Sequence, residues 1–244
     1  MKIVIQARVT SSRLPGKTVE RIGSKTVLEW TADACSGVIG DKPVIAIPDT
    51  EPNDILEEMY ASQYDIYRGS ENDVMKRLIR SAKQYDADYI LRVCADNPFI
   101  QRQFLKELNR YALEDKYDYI SFYDGNTNCI TKPYGFFGEA FRVNAAEKLY
   151  PNTDDFEREH VTPVFYNNPE ARNVSIKRIT VPESISTRQY LRFTLDNDFD
   201  LELYRLIYSN HPRDYYTYNE LIEIIESDKT LKEMMMKNKK EGNK

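Results

Sequence analysis

Short apolar runs of strand length recur along this chain, each followed by a segment with helical spacing. That alternation restricts the fold more than any other feature. Ile3-Val4-Ile5 reads as a buried strand, followed by a polar loop over 6–17. Residues 26–35 read as a helix with Val27, Leu28, Trp30 and Ala34 near one face. A second strand at 44–47 stops at Pro48, a helix follows over 53–61, and a brief strand lies at 65–67. Ser70 and Asp73 resemble a capping box, opening a helix that carries Val74, Leu78, Ile79 and Ala82. Residues 89–93 form the next strand, 103–113 a helix with Phe104, Leu108 and Tyr111 at three-to-four spacing, and 117–123 a further strand. This order predicts an α/β protein with a mostly parallel central sheet and helices on both faces.

From 127 to 141 the pattern changes to Gly, Pro and aromatic residues without helical period. Helices return at 144–149 and 156–166, strands at 174–181 and 191–194, and helices at 198–208 and 218–225. There is no internal repeat and no separating linker, so 1–228 reads as one domain. The Lys-rich stretch 229–244 reads as a short amphipathic turn fading into a frayed end. Composition narrows the function. With 34 Lys plus Arg against 39 Asp plus Glu, the net charge is −5, unsuited to a dedicated nucleic-acid polymer binder. No apolar run approaches a membrane span, and the N-terminus lacks a signal-peptide pattern. Cys35, Cys94 and Cys129 are odd in number and widely spaced. Neither a disulfide framework nor a zinc site is expected, and a reducing cytoplasm fits.

Three segments carry chemistry. The loop Gln6-Ala7-Arg8-Val9-Thr10-Ser11-Ser12-Arg13-Leu14-Pro15-Gly16-Lys17 follows the first strand. In an open α/β sheet, ligands bind beyond the carboxyl ends of the strands. Three cations, a hydroxyl run and a Gly can wrap a polyphosphate there. It has neither Walker nor G-x-G-x-x-G spacing, and a solvated basic loop is an equally simple reading. Arg92-Val93-Cys94-Ala95-Asp96-Asn97-Pro98 places Asp96 at another strand end, where a turn-forming role competes. Phe193-Thr194-Leu195-Asp196-Asn197-Asp198 adds further carboxylates, with Asp198 read more simply as the N-cap of the next helix. Carboxylates from two strand ends can jointly hold Mg²⁺, a hard cation that takes oxygen ligands. Together the three segments suit chemistry at a nucleoside triphosphate.

These residues resemble a known family. The stretch 6–17 is similar to the Q-A-R-x-x-S-x-R-L-P-G-K signature of the cytidylyltransferases, in their spore coat polysaccharide biosynthesis protein F-like branch. That branch is related to CMP-sialic acid and CMP-KDO synthetases. Tyr67-Arg68-Gly69-Ser70-Glu71-Asn72-Asp73-Val74, the 92–98 segment, Glu157-Arg158-Glu159-His160-Val161-Thr162-Pro163 and Thr194-Leu195-Asp196 follow in order, so the likeness spans residues 1 to about 225. It implies a Rossmann-like, GT-A/nucleotidyltransferase type of fold, with 1–228 as the catalytic domain. It implies that Ala7, Arg8, Ser11, Arg13, Lys17 and Arg68 bind the nucleotide, and that Arg13, Lys17 and Asp96 are catalytic. Asp96 and Asp196 would hold Mg²⁺, and Glu139, Arg158 and His160 would face the acceptor. The implied partners are CTP and a small sugar-acid or phosphorylated polyol acceptor, with release of pyrophosphate in surface polysaccharide biosynthesis. A homodimer through 127–166 rests on the same analogy.

One departure concerns the acceptor. Thr131-Lys132-Pro133-Tyr134-Gly135-Phe136-Phe137-Gly138-Glu139 carries the aromatic Phe137 where the branch commonly has Asp. From position alone, His160 reads more simply as a structural residue; the resemblance of the 157–163 motif around it makes acceptor binding an equal reading. Two other functions keep a nucleotide site. Asp196-Asn197-Asp198 is a D-x-D pattern, the metal motif of GT-A glycosyltransferases that use a nucleotide sugar. A non-catalytic nucleotide-binding subunit is the other, with the intact Asp96 and Asp196 pair against it.

Overall fold

The computed structural model describes residues 1–40 and 42–241. The first half contains β1 (Lys2–Gln6), β2 (Arg21–Ile22), β3 (Lys25–Thr26), α1 (Val27–Cys35), β4 (Val44–Pro48), α2 (Asp54–Tyr60), β5 (Asp65–Gly69) and α3 (Val74–Gln84). Next come β6 (Tyr89–Cys94), α4 (Arg102–Ala112), β7 (Tyr119–Asp124), β8 (Thr127–Asn128), β9 (Glu139–Arg142) and α5 (Val143–Leu149). The remainder is α6 (Asp155–His160), α7 (Pro163–Tyr166), β10 (Ile176–Thr180), α8 (Glu183–Ser186), α9 (Asp198–Asn210), α10 (Tyr218–Ser227) and α11 (Lys229–Glu241).

The main sheet runs β5-β4-β1-β6-β9-β7-β10, with β8 added to β7. Neighbouring strands are parallel except that β9 lies antiparallel between β6 and β7, and the short β8 is antiparallel to β7. The chain builds outward from β1 to β4 and β5, then crosses back to β6 on the other side of β1. The carboxyl ends of β1 and β6 therefore flank a topological switch point, where open α/β sheets bind ligands. Gln6 pairs with Cys94 in register, so the loops leaving both strands start level.

Strand periodicity divides the core. Ile3, Ile5, Ile45, Ile47, Leu91 and Val93 belong to one buried cluster, shared with residues of α1, α4, α9 and α10. Val4, Ala46 and Ile90 belong to a second, with Val74, Met75, Leu78, Ile79 and Ala82 of α3. The stripe on α3 is where expected, but its N-cap is Asp73, whose side chain accepts from Lys76 N, while Ser70 Oγ accepts from Asp73 N.

Four local expectations change. The stretch 191–194 is not a strand: Phe193 N and Thr194 N both donate to the one carbonyl of Pro133, which is a bridge rather than a ladder. The helix expected over 156–166 is two helices. Val161 adopts φ +71°, Thr162 N donates to His160 O, and this γ-turn separates α6 from α7. Asn197, not Asp198, caps α9, accepting from Asp200 N. The Lys-rich end does not fray through residue 241. Leu231 and Met235, one helical turn apart on α11, are fully buried in the main core, and that burial holds the helix on the domain. Residues 242–244 of the expected tail lie outside the described residues. Within 127–166, β9 is interior to the sheet, and Tyr134, Phe136, Phe137, Ala140 and Phe141 are buried in the core.

Candidate active site

The loop after β1 doubles back on itself. Ala7 N donates to Ala46 O, Val9 N to the Asn53 side chain, and Gly16 N to Val9 O. Gly16 makes the return at φ +75°, a backbone region that costs residues with a Cβ about 1–2 kcal/mol. Lys17 is thereby turned inward and is 8% exposed. Its ammonium donates to Asp96 Oδ2 at 2.6 Å and to the Leu195 carbonyl at 2.7 Å. It also stands 3.8 Å from Asp196 Oδ1. Leu195 N donates to Asp96 O, joining the loop after β6 to the one before α9. Two carboxylates far apart in sequence thus converge on one cation.

Asp196 is fixed from several sides. Arg13 pairs with Oδ1 at 2.8 Å, and Arg192 Nη2 donates to Oδ2 at 3.0 Å. Beneath it, the fully buried Asp200 accepts from Arg192 Nε and Nη2 and from the backbone N–H groups of Asp196 and Asn197. Burial raises the Asp196 pKa above the ordinary carboxylate value, with Lys17 opposing and the nearby Asp96 charge adding to the rise. The site therefore gathers two close carboxylates with three cations, Lys17, Arg13 and Arg192.

Two cavities meet here. One, of about 180 Å³, is lined by Ala7, Arg8, Ser11, Arg13, Lys17 and Arg77, among others. The other, of about 570 Å³, is bordered by Ile130, Lys132, Phe137, Phe156, Tyr166 and Asp196, among others. Gln6, Arg13, Arg92, Cys94, Asp96 and His160 border both. The smaller is rich in cations and hydroxyls; the larger mixes aromatic and charged walls. One polyanionic ligand and one partly apolar ligand can thus meet at a shared wall.

A model of the cytidylyltransferase family matches residues 2–226. This chain belongs to the cytidylyltransferase family. Membership makes it a nucleotidyltransferase that draws on CTP. The spore coat polysaccharide biosynthesis protein SpsF of Bacillus subtilis is 30% identical over 213 residues, covering 84% of this chain and 85% of that protein. The structure of a cytidylyltransferase from Leptospira borgpetersenii superposes with a TM-score of 0.83 at 26% identity, over 94% of this chain and 95% of the other. CMP:2-keto-3-deoxy-manno-octonic acid synthetase, solved with CTP, shares the fold at a TM-score of 0.61 and 16% identity, over 86% of this chain and 98% of the other.

In this cytidylyltransferase, Ala7, Arg8, Ser11, Arg13, Lys17, Asp96 and His160 line the smaller cavity, and Asp196 joins them from the larger. Three expected residues lie elsewhere. Arg68 borders neither cavity and pairs with Asp54 and Glu57 of α2. Arg158 also lies outside both; it donates to Thr153 Oγ1 and stacks over Tyr150. Glu139 is fully buried beneath the larger cavity, bonded to Arg92, Tyr119 and Thr162. Nor does the D-x-D pattern act as a unit. Asn197 is occupied in capping, and Asp198 is exposed and borders neither cavity. The glycosyltransferase reading loses its motif.

Residue patterns left several groups unnoticed. Arg77 is 2% exposed on α3, and its Nε has no hydrogen-bond partner although it lines the smaller cavity. Burial, and after it the charge of Arg8, brings its pKa down to about 10. Its signal was a cation inside the apolar stripe of a helix. Arg92 gave a similar signal, a cation within an otherwise apolar strand. The Arg192–Asp200 pair had none beyond an eight-residue spacing.

Asp96 and Asp196 can be tested as cation ligands from their donor chemistry. Both offer hard carboxylate oxygens, and both already converge on the Lys17 ammonium. Among the described residues no cluster of three His, Cys, Asp or Glu side chains could cage a metal alone. Two carboxylates needing phosphate or water oxygens to complete the shell suit Mg²⁺, which usually binds that way. The residues fit the ion.

Proposed function

We propose that this enzyme transfers CMP from CTP to a small sugar-acid or phosphorylated polyol acceptor, supplying an activated sugar for surface polysaccharide synthesis. One observation carries the reading: a cationic cavity and a mixed aromatic cavity share a wall that includes Asp96, with Lys17 on the cationic side and Asp196 on the other, both bonded into the same ionic cluster. The sequence relation to a spore coat polysaccharide biosynthesis protein supports the pathway class.

CTP occupies the smaller cavity, its phosphates facing Ser11, Arg13 and Lys17. The acceptor enters the larger one, against Phe137, Phe156 and His160. An acceptor oxygen attacks the α-phosphorus; the bond from that phosphorus to the β-bridging oxygen breaks, and pyrophosphate leaves with the electron pair. Where the nucleophile is a hydroxyl, His160, which borders both cavities, takes its proton; where it is already an oxyanion, no proton moves. Asp96 and Asp196 would hold a divalent cation, Mg²⁺ suiting their carboxylate oxygens, and it would supply neutralisation of phosphate charge. Lys17, released from its carboxylate partners, and Arg13 offset the charge gathering on pyrophosphate. Holding both reactants at one wall supplies the orientation such a transfer needs. Phe137 gives the acceptor an apolar edge where a carboxylate would have taken a hydroxyl.

The test is pyrophosphate release with each of the four ribonucleoside triphosphates against a panel of acidic sugars and phosphorylated polyols. Release with CTP that requires one of these acceptors is expected. Release with none of them, together with hydrolysis of a nucleotide sugar, would remove the proposal.

A further inference from the structure

Arg92 lies on β6 with 6% of its surface exposed and borders both cavities. A group transferred from one ligand to the other must pass the wall that the two share. The guanidinium is anchored on two of its three nitrogens. Nε donates to Gln6 Oε1 at 2.8 Å, and Nη1 is bonded to Glu139. Among the described residues no hydrogen bond uses Nη2. That nitrogen is also not one of the fully enclosed side-chain atoms left without a partner.

The apparatus behind Arg92 is extensive. Glu139 is fully buried and accepts from the hydroxyls of Tyr119 and Thr162 as well as from Arg92. Asn128 Nδ2 donates to Tyr119 Oη, and Ser121 Oγ donates to Asn128 Oδ1. Thr162 is delivered to Glu139 by the γ-turn at Val161, a buried β-branched residue at φ +71°. Such a backbone costs on the order of 1–3 kcal/mol and persists only where the surroundings impose it. A buried ion pair is weak evidence of stabilisation in itself. One that fixes two nitrogens and leaves the third toward a shared wall is a device for aiming.

We propose that Arg92 Nη2 donates to a non-bridging oxygen of the α-phosphate of CTP, with Glu139 as its positioning residue. This rests on the nucleotidyl-transfer reading above. Arg92 is then a catalytic residue, and Glu139 acts on the reaction through it rather than through the acceptor.

The experiment compares the parent with Arg92→Lys, which keeps the charge and loses the fork, and with Thr162→Val, a milder change that removes one donor to Glu139. Binding of the two α-thio diastereomers of CTP is measured by calorimetry with Mg²⁺, so no acceptor is needed. Folding is checked by circular dichroism. Sulfur replaces one or the other non-bridging α-oxygen, so a donor on one oxygen makes the two dissociation constants unequal. The expected result is a ratio of those constants that shifts roughly tenfold in Arg92→Lys and by a lesser factor in Thr162→Val. Where an acceptor is in hand, kcat/KM for CTP of Arg92→Lys also falls on the order of 10²-fold. A ratio within twofold of the parent's in a folded Arg92→Lys overturns the proposal. If that variant does not fold, an unchanged ratio in Thr162→Val does so. A parent that binds no CTP would instead strike the nucleotidyl-transfer reading itself.

Discussion

Asp200→Asn is a stringent perturbation, because Asp200 borders neither of the two site cavities yet carries the segment that presents Asp196. The carboxylate accepts from Arg192 Nε at 2.8 Å, Arg192 Nη2 at 3.0 Å, Asp196 N at 2.8 Å and Asn197 N at 3.2 Å. It is fully buried. An amide keeps one acceptor oxygen but turns an NH₂ toward donors and, among the described residues, leaves Arg192 with Asp196 as its one ion-pair partner. Breaking a buried pair outright costs about 3–5 kcal/mol, and one hydrogen bond to a charged group is worth about 1.5–3 kcal/mol. The amide should fall between complete retention and complete loss, at about 2–3 kcal/mol. For a chain of this length each kcal/mol moves Tm by roughly 2–4 °C, so a drop of about 4–12 °C is expected. Thermal unfolding followed by circular dichroism measures the drop. Turnover with CTP, measured below the variant's transition, should fall at least tenfold as Asp196 loses its backing. A Tm within 1 °C of the parent's, with turnover unchanged, would refute both the energetic argument and the supporting role.

Lys17→Ala should lower turnover with CTP by roughly 10²–10³-fold, the usual cost of removing one preorganised charge donor; steady-state pyrophosphate release within threefold of the parent would contradict this. Glu226 is held down to about 2, first by Lys232 of α11, then by Tyr190 and Arg188. A depressed carboxylate contributes stability above its ordinary value of 4.5 and loses it as pH falls toward 2. The difference in urea-unfolding stability between the parent and Glu226→Gln should thus shrink over that window, and a pH-independent difference would count against the pairing. Its size should stay at or below about 1 kcal/mol, since the carboxylate is partly solvated. Leu231→Ala should cost about 2–4 kcal/mol as a buried truncation, although it lies in the Lys-rich end; a Tm change below 2 °C would mean that α11 does not pack as described.

The parts of the fold and site that were legible in the sequence share a physical cause. Ile3-Val4-Ile5 and Val44-Ile45-Ala46-Ile47 are buried on both faces of a parallel sheet, so each reads as unbroken apolar sequence. The loops leaving such strands open on the crevice by topology, which is why Lys17, Arg13 and Asp96 could be placed together from local pattern. Asp196 reaches the same point through a segment that is not a strand, held by the Pro133 carbonyl and by Asp96 O. Leu191, Phe193 and Leu195 are buried at alternate positions there, which imitates a strand without a ladder. What stayed hidden depends on distant partners. Arg92 and Glu139 meet only because β9 inserts antiparallel beside β6, a pairing that no spacing along the chain encodes. Arg68 matches a family motif by position, yet two carboxylates on α2 draw its guanidinium away from the cavities. The Lys-rich end looked like a tail because its charges outnumber its apolar residues, while two buried side chains suffice to dock the helix.

Phosphorus NMR of a reaction containing CTP, Mg²⁺ and the acceptor selected from the panel follows the transferred group itself. The account expects the triphosphate resonances to give way to pyrophosphate and a CMP–acceptor product in equal amounts, a phosphodiester if the acceptor offers a hydroxyl and a diphosphate diester if it offers a phosphate. It also expects no product in EDTA and no pyrophosphate from Asp96→Ala. Orthophosphate with CDP, or free CMP with no product joining CMP to the acceptor, would contradict transfer at the α-phosphorus and with it the central claim.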